Sequence, residues 1–510
     1  MAVSSAAGAA TSSKSSVATT AARQFLSFVN QTGSPYHSVA AVKQMLKDAK
    51  FEELREGSLP WRLQQGGRYF LTKHASTICA FVVGGQFNAR EGGFVVTGGH
   101  TDSPCLRLRP NTKVSSGHKD YLQVGVQTYG GGLWHTWFDR PLGLAGKVVC
   151  RKGGGGLEEK LVRIDRPVLF IPNLAIHLQT ADERKAFTIN NETHLQPILC
   201  VNEPPSSSIC VEAKPEKNDE ENKHHSTQLL RLISDELGVQ PSAILDMDLC
   251  LFDAEPSRLI GANEDFIYSG RIDNLASVFA QFAGLVEFAN SPECQQSKDI
   301  SVAAAFDHEE VGSESATGAD SVNLENWLKQ LLGECVDNFD HARKKLKTII
   351  NGTSAAAPTT CIPYDNEWLN VLSRSFLFSI DCAHGLHPNY SAKHQVEHRP
   401  LLHQGIVIKT NANQRYATTA LTSALFRRVC ELSDVKVQDF VVRNDCPCGS
   451  TIGPMVSSNL GMRSIDIGIP QWAMHSIKET CSSIDIQYLK DFCAGAYMHF
   501  REVDEQCASL

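Results

Sequence analysis

Ile300-Ser301-Val302-Ala303-Ala304-Ala305-Phe306-Asp307-His308-Glu309-Glu310-Val311-Gly312-Ser313 runs from a small aliphatic segment straight into charge. An apolar run of this length that stops abruptly reads as a buried strand emerging at the edge of a parallel sheet. In open α/β sheets the carboxyl ends of strands are where ligands bind. Two adjacent carboxylates there have two readings, a helix start or solvated turn on the one hand and a functional strand end on the other. The choice rests on whether the rest of the chain supplies partners.

Several segments do. Phe94-Val95-Val96-Thr97-Gly98-Gly99 is a second buried-strand candidate and ends in His100-Thr101-Asp102-Ser103-Pro104. Residues two apart in an extended segment point the same way, so Asp102 can lie beside His100 and hold its ring, the pairing that orients a metal-binding histidine. A third candidate, Ser375 to Ile380, ends in Asp381-Cys382-Ala383-His384-Gly385-Leu386-His387-Pro388-Asn389-Tyr390. Met462 to Ile469 is strand-like and is followed by Pro470-Gln471-Trp472-Ala473-Met474-His475. Asp273 stands just ahead of a helix marked by Leu275, Val278, Phe279, Phe282, Leu285 and Val286, where an aspartate is ordinarily an N-cap.

The remainder sets the organisation. Helical patterns from Ala22 to Asn30 and Ser38 to Lys47 open a domain, Leu324 to Leu332 gives another helix, and the chain closes on an amphipathic helix carrying Leu489, Phe492, Tyr497 and Phe500. Between about Arg109 and Gln240 the character changes to short alternating strands broken by Gly130-Gly131-Gly132 and Gly153-Gly154-Gly155-Gly156; the second run separates Gly146–Arg151 from Lys160–Asp165 as a hairpin. A disordered tail is expected over residues 1–21, although its Ala/Ser-rich composition also resembles a plastid transit peptide. The polar segment Glu203 to His225 and the stretch Thr353 to Thr360 are expected loops. The expected division is a catalytic domain in two segments, 22–108 and 246–510, around a β-rich insert, 109–245.

With 510 residues the chain exceeds one ordinary core. A net charge of -8 argues against a nucleic-acid partner, and no stretch approaches a membrane span. The sixteen cysteines lack paired zinc-ribbon spacings and read as reduced thiols in a cytoplasmic setting.

Carboxylates or histidines thus stand at the ends of several core strands. Histidines with carboxylates and no cysteine ligand form the nitrogen and oxygen set of hydrolytic zinc sites, and the inventory matches a two-metal site with a general base. No GxSxG elbow supports a serine triad. Cys382 beside His384 is a conceivable nucleophile, although a small buried thiol is the simpler account.

The blocks GGHTDSP from Gly98, SGRIDNL from Ser269, FDHEEVGS from Phe306, DCAHGLHPNY from Asp381, KTNANQRYAT from Lys409, GSTIGPM from Gly449 and MHSIKE from Met474 closely resemble those of the M18 metallopeptidase family, the aspartyl aminopeptidases of the co-catalytic zinc clan. They stand in family order and span nearly the whole chain. The resemblance implies a mixed-sheet α/β catalytic domain with an inserted β-rich dimerisation domain. It implies two zinc ions per subunit, one held by His100 and Asp381, the other by Glu310 and His475, with Asp273 bridging. Glu309 would be the general base and Asp102 the carboxylate behind His100. Lys409, Tyr416, His384 and His387 would form the pocket for an N-terminal Asp or Glu of a peptide, and His177 would reach a neighbouring subunit's site in a homo-dodecamer built from dimers. The alternatives are another exopeptidase of the clan, or a catalytically weak assembly or cargo protein that keeps the peptidase fold.

Overall fold

The computed structural model describes residues 20–114, 120–202, 224–339 and 364–507. Almost all of the expected tail, most of the polar segment from Glu203 to His225, and the expected loop at 353–360 lie outside the described residues.

A nine-stranded mixed sheet forms the centre, in the order Glu52–Glu53, Arg68–Lys73, Thr77–Val83, Ile300–Phe306, Phe94–His100, Phe376–Ile380, Arg463–Gly468, Ile406–Thr410, Val437–Val441. Its four middle strands, Ile300–Phe306, Phe94–His100, Phe376–Ile380 and Arg463–Gly468, are mutually parallel. Alternation sends their side chains to two cores. Val95, Ala303, Ala305, Phe376 and Phe378 face the helices Ile272–Ala289 and Asp485–Cys507; Phe94, Val96, Val302, Ala304 and Leu377 face Asn323–Phe339 and Ile452–Leu460. Because both faces are covered, the strands are buried on both sides, and polar side chains on them such as Thr97, Ser301, Ser379 and Asp466 are buried as well.

The parallel strands are also anchored at their starts. Asp299 accepts hydrogen bonds from Arg501 Nη2 at 2.7 Å and from the Gly93 amide at 2.8 Å, tying the beginnings of two middle strands to the last helix. The register that follows sets Phe306 opposite His100, so both chains leave the sheet at the same level.

A second sheet of six strands, Leu157–Leu169, Leu142–Arg151, Ile244–Asp253, Cys105–Lys113, Tyr121–Tyr129 and Ile198–Val201, has its own core of Leu106, Val126, Leu144, Val162 and Leu249. The hairpin across the second glycine run is present, with Lys147 opposite Leu161. The expected cuts at 109 and 245 fall inside Cys105–Lys113 and Ile244–Asp253, because an alternating pattern marks a strand without saying which sheet it joins. A five-stranded sheet, including Phe266–Ser269, Glu479–Ser482, Pro470–Trp472 and Ala383–His384, links the two. No helix among the described residues is long and apolar enough to cross a membrane.

Candidate metal centre and active site

The four parallel strands release His100, Glu309 with Glu310, Asp381 and, after Pro470–Trp472, His475 at one end of the sheet, where the entry to Ile272–Ala289 adds Asp273. The backbone is shaped locally for this. His308 and His475 have positive φ values of 64° and 67°, turning the chain sharply next to the two glutamates and at the histidine itself. Asp273 does not cap its helix. Arg271, at φ 61°, takes the N-cap position, the backbone at Asp273 is not helical, and the Asp273 amide donates to Glu479 Oε2 at 3.0 Å.

His100 Nε2 lies 3.4 Å from Asp273 Oδ1, 3.7 Å from Asp381 Oδ1 and 3.7 Å from Glu309 Oε2. His475 Nε2 lies 3.3 Å from Glu310 Oε2 and 3.8 Å from Asp273 Oδ2. These spacings are too long for hydrogen bonds, yet ligands about 2.0–2.1 Å from a tetrahedral zinc stand about 3.4 Å from each other. Three buried oxygens, Asp273 Oδ1, Glu310 Oε1 and Asp381 Oδ1, have no hydrogen-bond partner among the described residues. Orphaned carboxylate oxygens facing histidines fit a bound cation and are costly without one. Asp273 belongs to two ligand groups, with His100 and Asp381 and with Glu310 and His475, and within each group the candidate ligand atoms lie within 4.8 Å of each other.

The charge balance follows from burial. Burial, reinforced by Asp381, Asp102 and Asp273, pushes the Glu309 carboxyl up to about 8. Burial and neighbouring carboxylates raise Glu310 and Asp273 as well. Asp381 goes the other way: against the effect of burial, Lys409 and His100 hold it below the ordinary carboxylate range. The carboxylates around His100 raise its imidazole despite burial.

Asp102 stands 3.4 Å from His100 Nδ1 through Oδ1, while its backbone carbonyl is nearer to the same nitrogen at 3.0 Å. The carboxylate does more than face the ring. It accepts from the Glu309 amide at 3.1 Å, the Glu310 amide at 3.1 Å and the Tyr129 hydroxyl at 2.6 Å. Glu479, buried, accepts from the amides of Asp273 and, at 2.8 Å, His475. Sequence reasoning assigned no role to Tyr129 or Glu479; Glu479 stood in a quoted block, and Tyr129 carried no signal beyond closing a strand before three glycines.

Lys409 is buried, 2% exposed, and donates to the Cys382 carbonyl at 3.1 Å, 3.5 Å from Asp381 Oδ2 and 5.2 Å from the centre of the Tyr416 ring. Isolated in sequence it reads as a surface lysine; the fold puts it beside the cluster. His384 sets its ring against Phe440, and His387 packs with Tyr390 and Trp472; the two histidines line one cleft of about 340 Å³. His177 is not brought to the cluster. It sits on the exposed turn Ile176–Leu178. Cys382 is buried, its thiol donates to the Ile272 carbonyl, and burial pushes it far above the usual thiol range, so the nucleophile reading falls.

A family model described as the aminopeptidase I zinc metalloprotease (M18) matches residues 28–497. The chain is 42% identical to an aspartyl aminopeptidase of Caenorhabditis elegans over 471 residues, 91% of this chain and 92% of the relative. It is 40% identical to a probable aspartyl aminopeptidase of Ricinus communis over 504 residues, 95% of each. Among solved structures it resembles a chain of the Ape4 and Nbr1 complex, with TM-score 0.85 and 37% identity over 96% of this chain and 87% of that one. It also resembles yeast aminopeptidase 1, with TM-score 0.78 and 26% identity over 97% and 100% of the two chains. With this match across nearly its whole length, the chain belongs to the M18 family and is a zinc-type metalloaminopeptidase.

Proposed function

We propose that the chain removes unblocked Asp and Glu residues from the N-termini of peptides. The observation that carries this reading is the convergence of His100, His475 and three orphaned carboxylate oxygens on one buried point beside the buried cation Lys409. His100 and Asp381 would hold one of two zinc ions and Glu310 and His475 the other, with Asp273 shared. Bound zinc supplies Lewis acidity, lowering the pKa of a water and polarising the peptide carbonyl. Glu309, whose burial gives it a high proton affinity, takes the proton of the attacking water at its carboxylate and returns it to the leaving amine. Asp102 keeps His100 and the Glu309 backbone in place. Lys409 pairs with the side-chain carboxylate of the substrate's first residue, and Tyr416, His384 and His387 shape that pocket.

His177 is flanked by exposed Leu174, Ile176 and Leu178, an apolar edge that fits coverage by a second subunit. One structural relative is the S. cerevisiae mApe1 dodecamer, with TM-score 0.77 and 25% identity over 96% and 99% of the chains. We therefore extend the reading to a homo-dodecamer built from dimers, in which His177 serves a neighbour. The described cysteines are free thiols, which fits the cytoplasm. The complete ligand set speaks against a cargo role without catalysis, since buried carboxylates without a cation are costly. The test is hydrolysis of Asp-, Glu-, Leu- and Lys-initiated peptides by the metal-loaded protein. Preference for the acidic pair is expected, and equal cleavage of the Leu peptide would overturn the specificity.

A further inference from the structure

The second sheet reaches the metal centre through the end of its strand Tyr121–Tyr129 and the glycines that follow. Tyr129 ends the strand Tyr121–Tyr129, and its hydroxyl donates to Asp102 Oδ2 at 2.6 Å. On the adjoining strand Cys105 lies opposite Tyr129, and two residues on the Arg107 guanidinium stacks 3.7 Å from the centre of the tyrosine ring. This clamp fixes the ring, and the ring fixes the hydroxyl. Burial and the Asp102 charge push the phenol far above its ordinary range, so it remains a donor at any working pH.

The glycines that follow touch the other half of the centre. Gly130 has φ +73°, and a Cβ there would stand 3.2 Å from the Glu310 Cβ and 3.4 Å from Pro104, so a side chain would press on Glu310 in a backbone conformation that favours glycine. The Gly131 carbonyl lies 3.1 Å from His475 Nδ1, where it accepts in the tautomer that leaves Nε2 facing Glu310 and Asp273. The Leu133 amide donates to the His475 carbonyl at 2.9 Å, and the Ile477 amide to Thr136 Oγ1 at 3.0 Å, which pins the two loops together.

We propose that Tyr129, held by Arg107 and continued by Gly130 and Gly131, is a positioning residue that braces both halves of the metal centre, acting on Asp102 with the Glu309 and Glu310 amides on one side and on His475 on the other. This inference rests on the dinuclear reading given above. It gives the inserted sheet a part in the chemistry of its own subunit. Groups behind a metal ligand fix its orientation and its basicity.

Tyr129→Phe removes the hydroxyl and keeps the ring. Its zinc retention against a competing chelator should weaken by roughly 10- to 100-fold, and kcat should fall with KM unchanged. The visible spectrum of the cobalt-substituted protein should shift, while the melting temperature of the zinc-free protein stays close to that of the wild type. Because Tyr129 acts through Asp102, the double variant Tyr129→Phe with Asp102→Asn should be no worse than Asp102→Asn alone. Gly130→Ala should disturb the cobalt spectrum by pushing on Glu310 with the hydroxyl intact. Zinc retention in Tyr129→Phe equal to that of the wild type, or effects of the two substitutions that multiply in the double variant, would overturn the proposal. Since zinc retention needs no substrate, failure of the acidic-peptide reading would leave this result standing on its own.

Discussion

Stripping the metal should make the protein's stability fall as the pH rises, and the cluster says by how much. Without a cation, Glu309 binds its proton with an affinity near pH 8 in the folded state, against an ordinary value of 4.5. A folded state that holds the proton more tightly is favoured at low pH and loses that advantage through the window from about 4.5 to 8. At about 1.4 kcal/mol for each tenfold in proton affinity, Glu309 alone accounts for about 5 kcal/mol at most. Glu310 and Asp273 are raised in the same direction, and because the three titrate as one set, the loss for the whole cluster is on the order of several kcal/mol rather than three separate losses. His100, also raised, adds stability at low pH that disappears as the pH climbs through its folded value. Asp381 and Asp102 are lowered; their contribution is lost only on acidification below the ordinary carboxylate range, outside this window. Zinc removes the proton requirement by supplying the positive charge itself. The assay is a set of thermal melts from pH 5 to 9, with zinc and with a chelator. The chelated protein should lose melting temperature steadily towards pH 8, and the gap between the two series should widen. A chelated series that is flat, or that rises with pH, would show that these carboxylates are not buried to hold a cation.

Lys409→Met should abolish the preference for acidic peptides, seen as converging kcat/KM values for Asp and Leu peptides, and should destabilise the fold by ~3–5 kcal/mol in denaturant melts because Asp381 loses its buried partner. Arg501→Ala, far from the chemistry, should cost a similar ~3–5 kcal/mol by leaving Asp299 buried and unpaired, with the KM of the surviving folded protein unchanged. His177→Ala should slow turnover without altering zinc content, and an unaffected rate would count against its service to a neighbouring subunit. Gly468→Ala should yield no soluble protein, since a Cβ there would stand 1.7 Å from the Asp381 carbonyl oxygen.

Much of the centre was legible before any coordinates because parallel strands announce themselves twice, by a continuous apolar run and by the charge that ends it. Ile300–Phe306, Phe94–His100 and Phe376–Ile380 each carried both marks, and the sheet lines up their ends. Asp273 was less legible. A carboxylate ahead of a helix is ordinarily a cap, and only the fold, which sets its oxygens 3.4 Å from His100 and 3.8 Å from His475, shows that it is turned to the cluster instead. Tyr129 was illegible for a different reason. Its partner Asp102 lies 27 residues away in the connection that leaves the central sheet, and nothing in an alternating strand tells which of its residues will meet a neighbouring core. The limits of the insert were blurred in the same way, since Ile244–Asp253 has a strand's alternation but pairs with Leu142–Arg151 and Cys105–Lys113 rather than with the central sheet.

In the proposed mechanism Glu309 moves the proton while its neighbour Glu310 holds metal. Glu309→Gln keeps the size and neutralises the base, and the measurement is zinc content and kcat on one preparation of that variant, with an Asp-initiated peptide as substrate. Full zinc content with turnover lost is the expected result. Retained turnover at full zinc content, or loss of zinc together with activity, would contradict it.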